Sequence, residues 1–395
     1  MEVSRRAFVA TAASASRVLG ANDRVRLGCI GTGSRGQHLV RMAAACGVPC
    51  EIVALCDAWD IRRNEGADHV AKRFPGAAKP ALIPGYKALL DRKDIDAVIV
   101  ATLDHTHANI TAEACQAGKD VFVEKPMTSL PMQGHQVVKA QRQYGRVIQV
   151  GVQQRSLPHF IEAKQKFVDS GLLGKVHMVR TVWNANSGYL TPSPPGMESK
   201  PPGLDWDAVL GWLPKIPWDP KRYFNRFAYW DFATGGQTGG LFVHMVDVVH
   251  WYLGILKPTS AVAMGGIYQF NDGRDTPDNV NFILEYPEKL TVTFEATITD
   301  MRPEESADIT FFGEGGRLSI FRHRARFLPQ GKGEPQMLAS SPEPPHMANF
   351  LECVKSRKQP NATAFDGHYA AMACHIGNIA YKERRVVPWR KQWDV

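Results

Sequence analysis

The sequence has no apolar run of membrane-spanning length. Its longest uncharged, mostly apolar stretch near the start, Ala7 to Ser16, falls well short of the roughly 20 residues that cross a bilayer. That excludes a membrane span there. Cysteine pairing signals are missing too: the seven cysteines, at 29, 46, 50, 56, 115, 353 and 374, form no CxxC pair and no zinc-finger spacing. A disulfide framework and a zinc module are both excluded on that pattern. Cysteines inside apolar runs, such as Leu27-Gly28-Cys29-Ile30, read as small core hydrophobes instead. No block of lysine and arginine occurs either. The formal charge of +8 comes from 47 basic and 39 acidic residues spread along 395 positions, so nucleic acid is not an expected partner. Internal repeats and low-complexity linkers are absent, and with 44% hydrophobic and 22% charged residues the composition is that of a folded protein of two or three domains.

The first 21 residues stand apart. Ser4-Arg5-Arg6-Ala7-Phe8-Val9, small apolar residues to Ala15, and then Arg17 resemble a twin-arginine export signal, which a receptor reads as an address. This predicts a periplasmic or otherwise exported protein that uses the twin-arginine machinery as a partner. The alternative is a basic, frayed N-terminus on a cytoplasmic protein. Unpaired cysteines agree with a chain that folds before export.

Chemistry begins at Gly31-Thr32-Gly33-Ser34-Arg35-Gly36, which lies between a buried strand (24–30) and a periodic helix (37–45). In that context GxGxxG has a mechanical reading. Gly31 permits a tight turn, Gly33 admits a pyrophosphate to the backbone, and Gly36 lets helix and strand pack closely. The next strand ends in Asp57, 26 residues beyond Gly31, where a carboxylate accepts hydrogen bonds from ribose hydroxyls and repels a 2′-phosphate. NAD is therefore preferred, with NADP left open by Arg62 and Arg63 nearby. A plain strand-end turn is the other reading of Asp57. A third strand runs into Thr102-Leu103-Asp104-His105-Thr106-His107, with His107 as a polar residue at a helix start, and a fourth (120–123) ends in Glu124-Lys125-Pro126. Strands alternating with helices imply parallel βαβ units with ligands beyond the strands' carboxyl ends.

These motifs together resemble the Gfo/Idh/MocA oxidoreductases: GxGxxG, Asp57, Thr102 with His107, and above all Glu124-Lys125-Pro126. The similarity continues through Gly151-Val152-Gln153-Gln154-Arg155, Gly174-Lys175-Val176, residues 239–254 and Gly313-Glu314-Gly315-Gly316, and Leu204-Asp205-Trp206-Asp207 resembles exported members. The resemblance implies an α/β protein: an N-terminal Rossmann domain with a doubly wound parallel sheet, then an α+β domain with a large open, mostly antiparallel sheet. The expected division is a signal segment (1–21), a nucleotide domain (22–150), a substrate and oligomerisation domain (151–345) and C-terminal helices packing back on the core (346–395). A homodimer or homotetramer through the open sheet, and a sugar, polyol or glycoside substrate, are further implications.

Two groups are expected to move the proton when hydride leaves a sugar carbon. Lys125, in a cleft beside a cationic ring, would have its pKa lowered; a structural lysine or phosphate contact is its plainer reading. His244 is the second, and Asp247 three positions on shares its helix face and could orient the ring. His250 points elsewhere, so HxxDxxH does not read as a metal site. Gln154 and Arg155 are expected to meet substrate or nicotinamide, or to make an interdomain hydrogen bond. Many family members carry an aspartate four residues before the histidine, but here that position is Gly240. Asp231, Asp247 or a substrate group is the expected replacement. Three functions stay open: a dehydrogenase, a glycoside hydrolase working by transient oxidation with retained NAD, and a non-catalytic sugar-binding relative.

Overall fold

The computed structural model describes residues 24–185, 188–300, 307–340 and 345–395. The twin-arginine segment lies outside them. Among the described residues no helix is long and apolar enough to cross a membrane.

The first half is a six-stranded, all-parallel sheet. Its strands are β1 (Val25–Ile30), β2 (Cys50–Cys56), β3 (Ala81–Ile83), β4 (Ala97–Val100), β5 (Asp120–Val123) and β6 (Ile148–Val150), in the order β3-β2-β1-β4-β5-β6. The order runs outward both ways from β1, so the carboxyl ends of β1 and β4 diverge around a crevice, the place where open α/β sheets bind ligands. β4 and β5 are buried at every position, as strands covered by helices on both faces must be.

The second half contributes β7 (Val176–Asn184), β8 (Ser260–Gly266), β9 (Asn279–Tyr286), β10 (Leu290–Thr297), β11 (Ala307–Gly313), β12 (Gly316–Phe321), β13 (Arg324–Pro329), β14 (Gln336–Ala339) and β15 (Val387–Pro388). They form a nine-stranded sheet ordered β14-β13-β12-β11-β7-β10-β9-β8-β15. Every pairing is antiparallel except β7 with β10. Burial alternates strictly along β9 and β10, so one face packs inward and the other is left open. The helices Val243–Leu253 and Ala364–Glu383 cover the inward face, and Phe242, Phe282 and Phe294 join them in one core that also reaches β4 and β5.

The C-terminal helices tie the halves together. Arg357 Nη2 donates to Asp120 Oδ1 at 3.0 Å, Gln149 Nε2 to the His346 carbonyl at 2.5 Å, and the Val150 amide to the Ala362 carbonyl at 2.9 Å. A second strap, from Gly203 to Phe232, crosses the crevice rim. Asp205 N donates to the Ala58 carbonyl (2.9 Å), His105 Nε2 lies 3.0 Å from the Val209 carbonyl, and the Trp59 and Tyr223 rings meet edge-on.

Candidate active site

The glycine loop divides its labour as its spacing implies. Gly31 has φ +91°, and a Cβ there would lie 2.5 Å from the Ala101 carbonyl oxygen; a Cβ on Gly36 would lie 2.0 Å from that of Gly31. Neither position admits a side chain. Gly33, by contrast, faces open space, with nothing within 4 Å of a built Cβ. It caps the helix Ser34–Ala45, which has no side-chain cap and no acid in its first turn. The helix start thus offers the Ser34 and Arg35 amides to an anion, which fits a dinucleotide pyrophosphate, while the Thr32 amide is held by Asp57.

Asp57 sits at the carboxyl end of β2. Its Oδ2 accepts from Thr32 N at 2.8 Å and from Thr32 Oγ1 at 3.3 Å, and its Oδ1 from Trp59 N at 3.1 Å. Burial raises its pKa while these donors pull the other way. The neighbouring arginines are committed: Arg62 to Glu65 at 2.8 Å and Arg63 to the Asp57 carbonyl at 2.6 Å. Both guanidinium groups beside Asp57 thus have partners among the described residues, in line with NAD.

At the end of β5, Glu124 holds the Arg35 guanidinium, with Nε and Nη2 both 2.7 Å from Oε1. The next peptide, Lys125-Pro126, is cis. Lys125 Nζ donates to the Gly240 carbonyl at 2.7 Å. Burial lowers the Lys125 pKa, against the pull of Glu124 and Asp104. Gly240 lies in the irregular turn Thr238–Phe242, and His244 is one turn further along, in the helix Val243–Leu253. Lys125 and His244 therefore converge although 119 positions apart in the chain. The His244 ring is 7% exposed with no partner for Nδ1 among the described residues. Burial first, then the charges of Lys125, Arg35 and Arg322, press its pKa well below the usual histidine value. A lysine shifted down beside a histidine that stays neutral is a pair equipped to accept a proton.

His244 opens on a cavity of about 500 Å³ whose walls include Gln153, Gln154, Trp183, Asp308 and Arg322. The amide oxygens of Gln153 and Gln154 are buried without a partner among the described residues, and Trp183 stacks on His244 at 6.4 Å. Unpaired acceptors over an aromatic floor suit a polyhydroxylated ligand, whose hydroxyls supply the missing donors.

Four predicted residues serve elsewhere. Arg155 is buried, with Nε 2.7 Å from Asp247 Oδ2 and Nη2 3.3 Å from Asp366. This joins the turn after β6 to two helices, an arrangement that agrees with the interdomain reading. Asp247 spends one oxygen on Arg155 and leaves the other unpaired; it does not orient His244. Asp231 is bound to Arg222 and is 38% exposed, away from the cavity walls. His107 lies inside the helix Asp104–Gln116, its Nδ1 2.8 Å from the Pro126 carbonyl and its Nε2 3.2 Å from that of Thr102. It is a buried strut under the lysine turn, with both ring nitrogens engaged by backbone carbonyls. Thr102 keeps its place at the crevice, with its Oγ1 accepting from Thr106 at 2.7 Å.

Sequence reasoning missed Gln153, Asp104, Trp183 and Arg322. Asp104 is buried beside Lys125, accepts from Thr234 N at 3.2 Å, and lies 3.9 Å from Arg226. Its signal was an acid at the first position of a helix, hidden because the helix start was placed later. Arg322 sits on the turn between β12 and β13, strands without a clear alternation.

Comparison with known proteins follows the same lines. Residues 25–152 match the family model described as oxidoreductase family, NAD-binding Rossmann fold, and residues 159–393 match oxidoreductase family, C-terminal alpha/beta domain. Inositol 2-dehydrogenase 2 of Saccharopolyspora erythraea is 32% identical over 231 residues, 58% of this chain and 54% of that one. A glycosyl hydrolase family 109 protein of Shewanella baltica is 38% identical over 121 residues, 29% of this chain and 26% of that one. The chain thus spans about half or less of the length of these curated relatives. In fold it resembles the WlbA dehydrogenase from Bordetella pertussis in complex with NADH and UDP-GlcNAcA, with TM-score 0.70, 18% identity, and 93% and 99% of the two chains covered. With both domains matched in order, and with the glycine loop and the Glu124-Lys125-Pro126 turn set around one crevice, the chain belongs to the Gfo/Idh/MocA family of NAD-binding oxidoreductases.

Proposed function

We propose that the protein is an NAD-dependent dehydrogenase that oxidises a CH–OH group of a sugar or polyol. The observation that carries this reading is the convergence of Lys125 and His244 at the crevice, with Lys125 Nζ 2.7 Å from the Gly240 carbonyl one turn before His244. Bound NAD supplies the hydride acceptor. The chain's own residues do the rest. Gln153 and Gln154 accept from substrate hydroxyls, and Trp183 gives a flat apolar floor. Neutral Lys125 takes the proton of the hydroxyl being oxidised, and neutral His244 holds that hydroxyl or passes the proton outward. The dehydrogenase named among the relatives acts on inositol, which supports a polyhydroxylated substrate.

Turnover is expected to show as NADH formed in proportion to oxidised sugar. Lys125→Ala is expected to lower kcat/KM by about 10²- to 10⁴-fold while NAD still binds. Since Lys125 must be neutral and burial has lowered its pKa, the rate rises with pH and levels off below the usual lysine range. Sugar released from a glycoside without net NADH would overturn the reading in favour of hydrolysis with retained NAD. Export rests on the Arg5-Arg6 segment. A homodimer or homotetramer is supported by the open face of the large sheet, where Val262, Met264 and Ile283 stand exposed, Val262 directly opposite Ile283.

A further inference from the structure

The cavity beside His244 carries a guanidinium, Arg322, that oxidation of a neutral sugar does not require. Two guanidinium groups act on the His244 imidazole, Arg35 from the Rossmann side and Arg322 from the sheet side, besides the Lys125 amine. Arg35 is answered by Glu124. Lys125 is exposed to Glu124 and Asp104, and Asp104 is itself held by Thr234 and Arg226. Arg322 has no ion-pair partner among the described residues, and its side chain is exposed at the cavity wall beside His323. One carboxylate, Asp308, also lines the cavity, and its Oδ2 accepts from Thr310 Oγ1 at 2.9 Å.

The carboxylate common before the family histidine is also absent. Gly240 stands there, and a Cβ built on it meets only the Phe227 ring, at 3.4 and 3.7 Å. Sterics do not forbid an acid at that position. Neither proposed substitute reaches it, since Asp231 is tied to Arg222 and Asp247 to Arg155. Among the described residues the cavity wall thus carries a guanidinium, Arg322, with no ion-pair partner, and one carboxylate, Asp308. A free arginine fork at the wall of a sugar-sized cavity is suited to bidentate capture of an anionic group. A single unanswered guanidinium matches the single charge of a carboxylate.

We propose that the substrate is a sugar acid, a monosaccharide whose carboxylate pairs with Arg322 while its hydroxyls donate to Gln153 and Gln154 and its reacting carbon faces His244 and Lys125. This rests on the dehydrogenase reading of the same site. It keeps the acid apart from Lys125, which must stay neutral to act as a base.

The test compares a hexuronate and an aldonate with the matching neutral hexose and polyol, and with a hexose 6-phosphate. Binding is read by calorimetry with NADH present, and turnover by NADH formation from NAD. The sugar acids are expected to bind roughly tenfold or more tightly than the neutral sugars, and Arg322→Gln is expected to cancel that ratio. Arg322→Lys should restore part of it. Gly240→Asp, which adds a carboxylate where many family members carry one, is expected to weaken acid binding relative to neutral. Equal binding of acid and neutral sugars, or a preference unchanged in Arg322→Gln, would overturn the proposal. So would an Arg322-dependent preference for the phosphate ester over the carboxylate. Arg322-dependent binding of sugar acids without NADH formation would uphold the acid site and sink the dehydrogenase reading instead. NADH formation from neutral sugars alone would do the reverse.

Discussion

Arg155 shows how a charged residue in a site motif can serve packing rather than substrate. Its guanidinium and the Asp247 carboxylate are 7% and 0% exposed and 2.7 Å apart. Burial raises the Asp247 pKa to about 6 against the attraction of Arg155. Removing the cation strands a buried carboxylate that already lacks one hydrogen bond, at a cost of about 3–5 kcal/mol. Arg155→Ala is thus expected to lower the denaturation midpoint sharply; a variant with unchanged stability and a raised KM would show that Arg155 meets substrate after all. The sequence made Gln154 and Arg155 equal candidates because both follow a buried strand, and passed over Gln153. It did not reveal that they form a 3₁₀ turn, Gln153–Ser156, which rotates about a third of a turn per residue and sends the glutamines to the cavity and the arginine inward. His244 and Asp247 do share a helix face, as their spacing implied, but the nearer and stronger partner claims the aspartate. Lys125 and His244 were readable as site residues only through motif resemblance; their meeting depends on the Gly240 turn, which no local pattern announces.

The glycine loop invites a direct comparison of two of its members. Gly33 has φ −64° and open space around its Cβ position, so a larger residue is tolerated by the backbone alone. Gly36 would press a Cβ against the Gly31 carbonyl, an overpacking that costs about 1–3 kcal/mol or more. Gly33→Val is expected to keep the urea midpoint of the parent and lose at least about tenfold in NAD affinity, because the branched side chain fills the phosphate approach. Gly36→Ala is expected to lower the midpoint first. If Gly33→Val binds NAD as the parent does, the phosphate site lies elsewhere. These strands and this loop were legible because fully buried parallel strands are continuous apolar runs and the motif sits between one such run and a periodic helix. Several elements were not. β3 and β15 span three and two residues, too short for periodicity, and β12 to β14 are hairpin strands with broken alternation. The parallel pairing of β7 with β10, more than 100 residues apart, is set by sheet assembly rather than by either strand's pattern.

Buried histidines make the stability of the assembled molecule depend on pH. His250, His346, His368 and His375 are lowered by burial to about 3, 4, 4 and 3. They join distant parts: His375 Nε2 lies 3.0 Å from Thr128 Oγ1, His346 Nε2 2.9 Å from the Val150 carbonyl, His368 Nε2 2.7 Å from the Trp393 carbonyl, and His250 Nε2 2.8 Å from Tyr286 Oη. In the unfolded chain each takes up a proton near pH 6.5, whereas the folded protein does so only below the lowered value. Their contribution is therefore complete above about pH 6.5 and is lost as pH falls towards 4 and 3. Asp247 works the other way: its folded value of about 6 exceeds the unfolded one, so between pH 6 and 4 the folded state holds one extra proton. For these four histidines set against Asp247 the difference is about three protons, or about 4 kcal/mol per pH unit below pH 6, with His244, lowered in the same way, adding to it; that is large against the 5–15 kcal/mol that holds a typical native protein together. Denaturant midpoints measured from about pH 7.5 down to 4.5 are expected to be flat at first and then fall steeply, with unfolding before the lower limit. His375→Asn should make the fall shallower by about one proton, even if it lowers stability at neutral pH. A midpoint that stays level down to pH 4.5 would mean these rings are protonated inside the fold, and that the links they make between the two sheets and the C-terminal helices are charged rather than neutral.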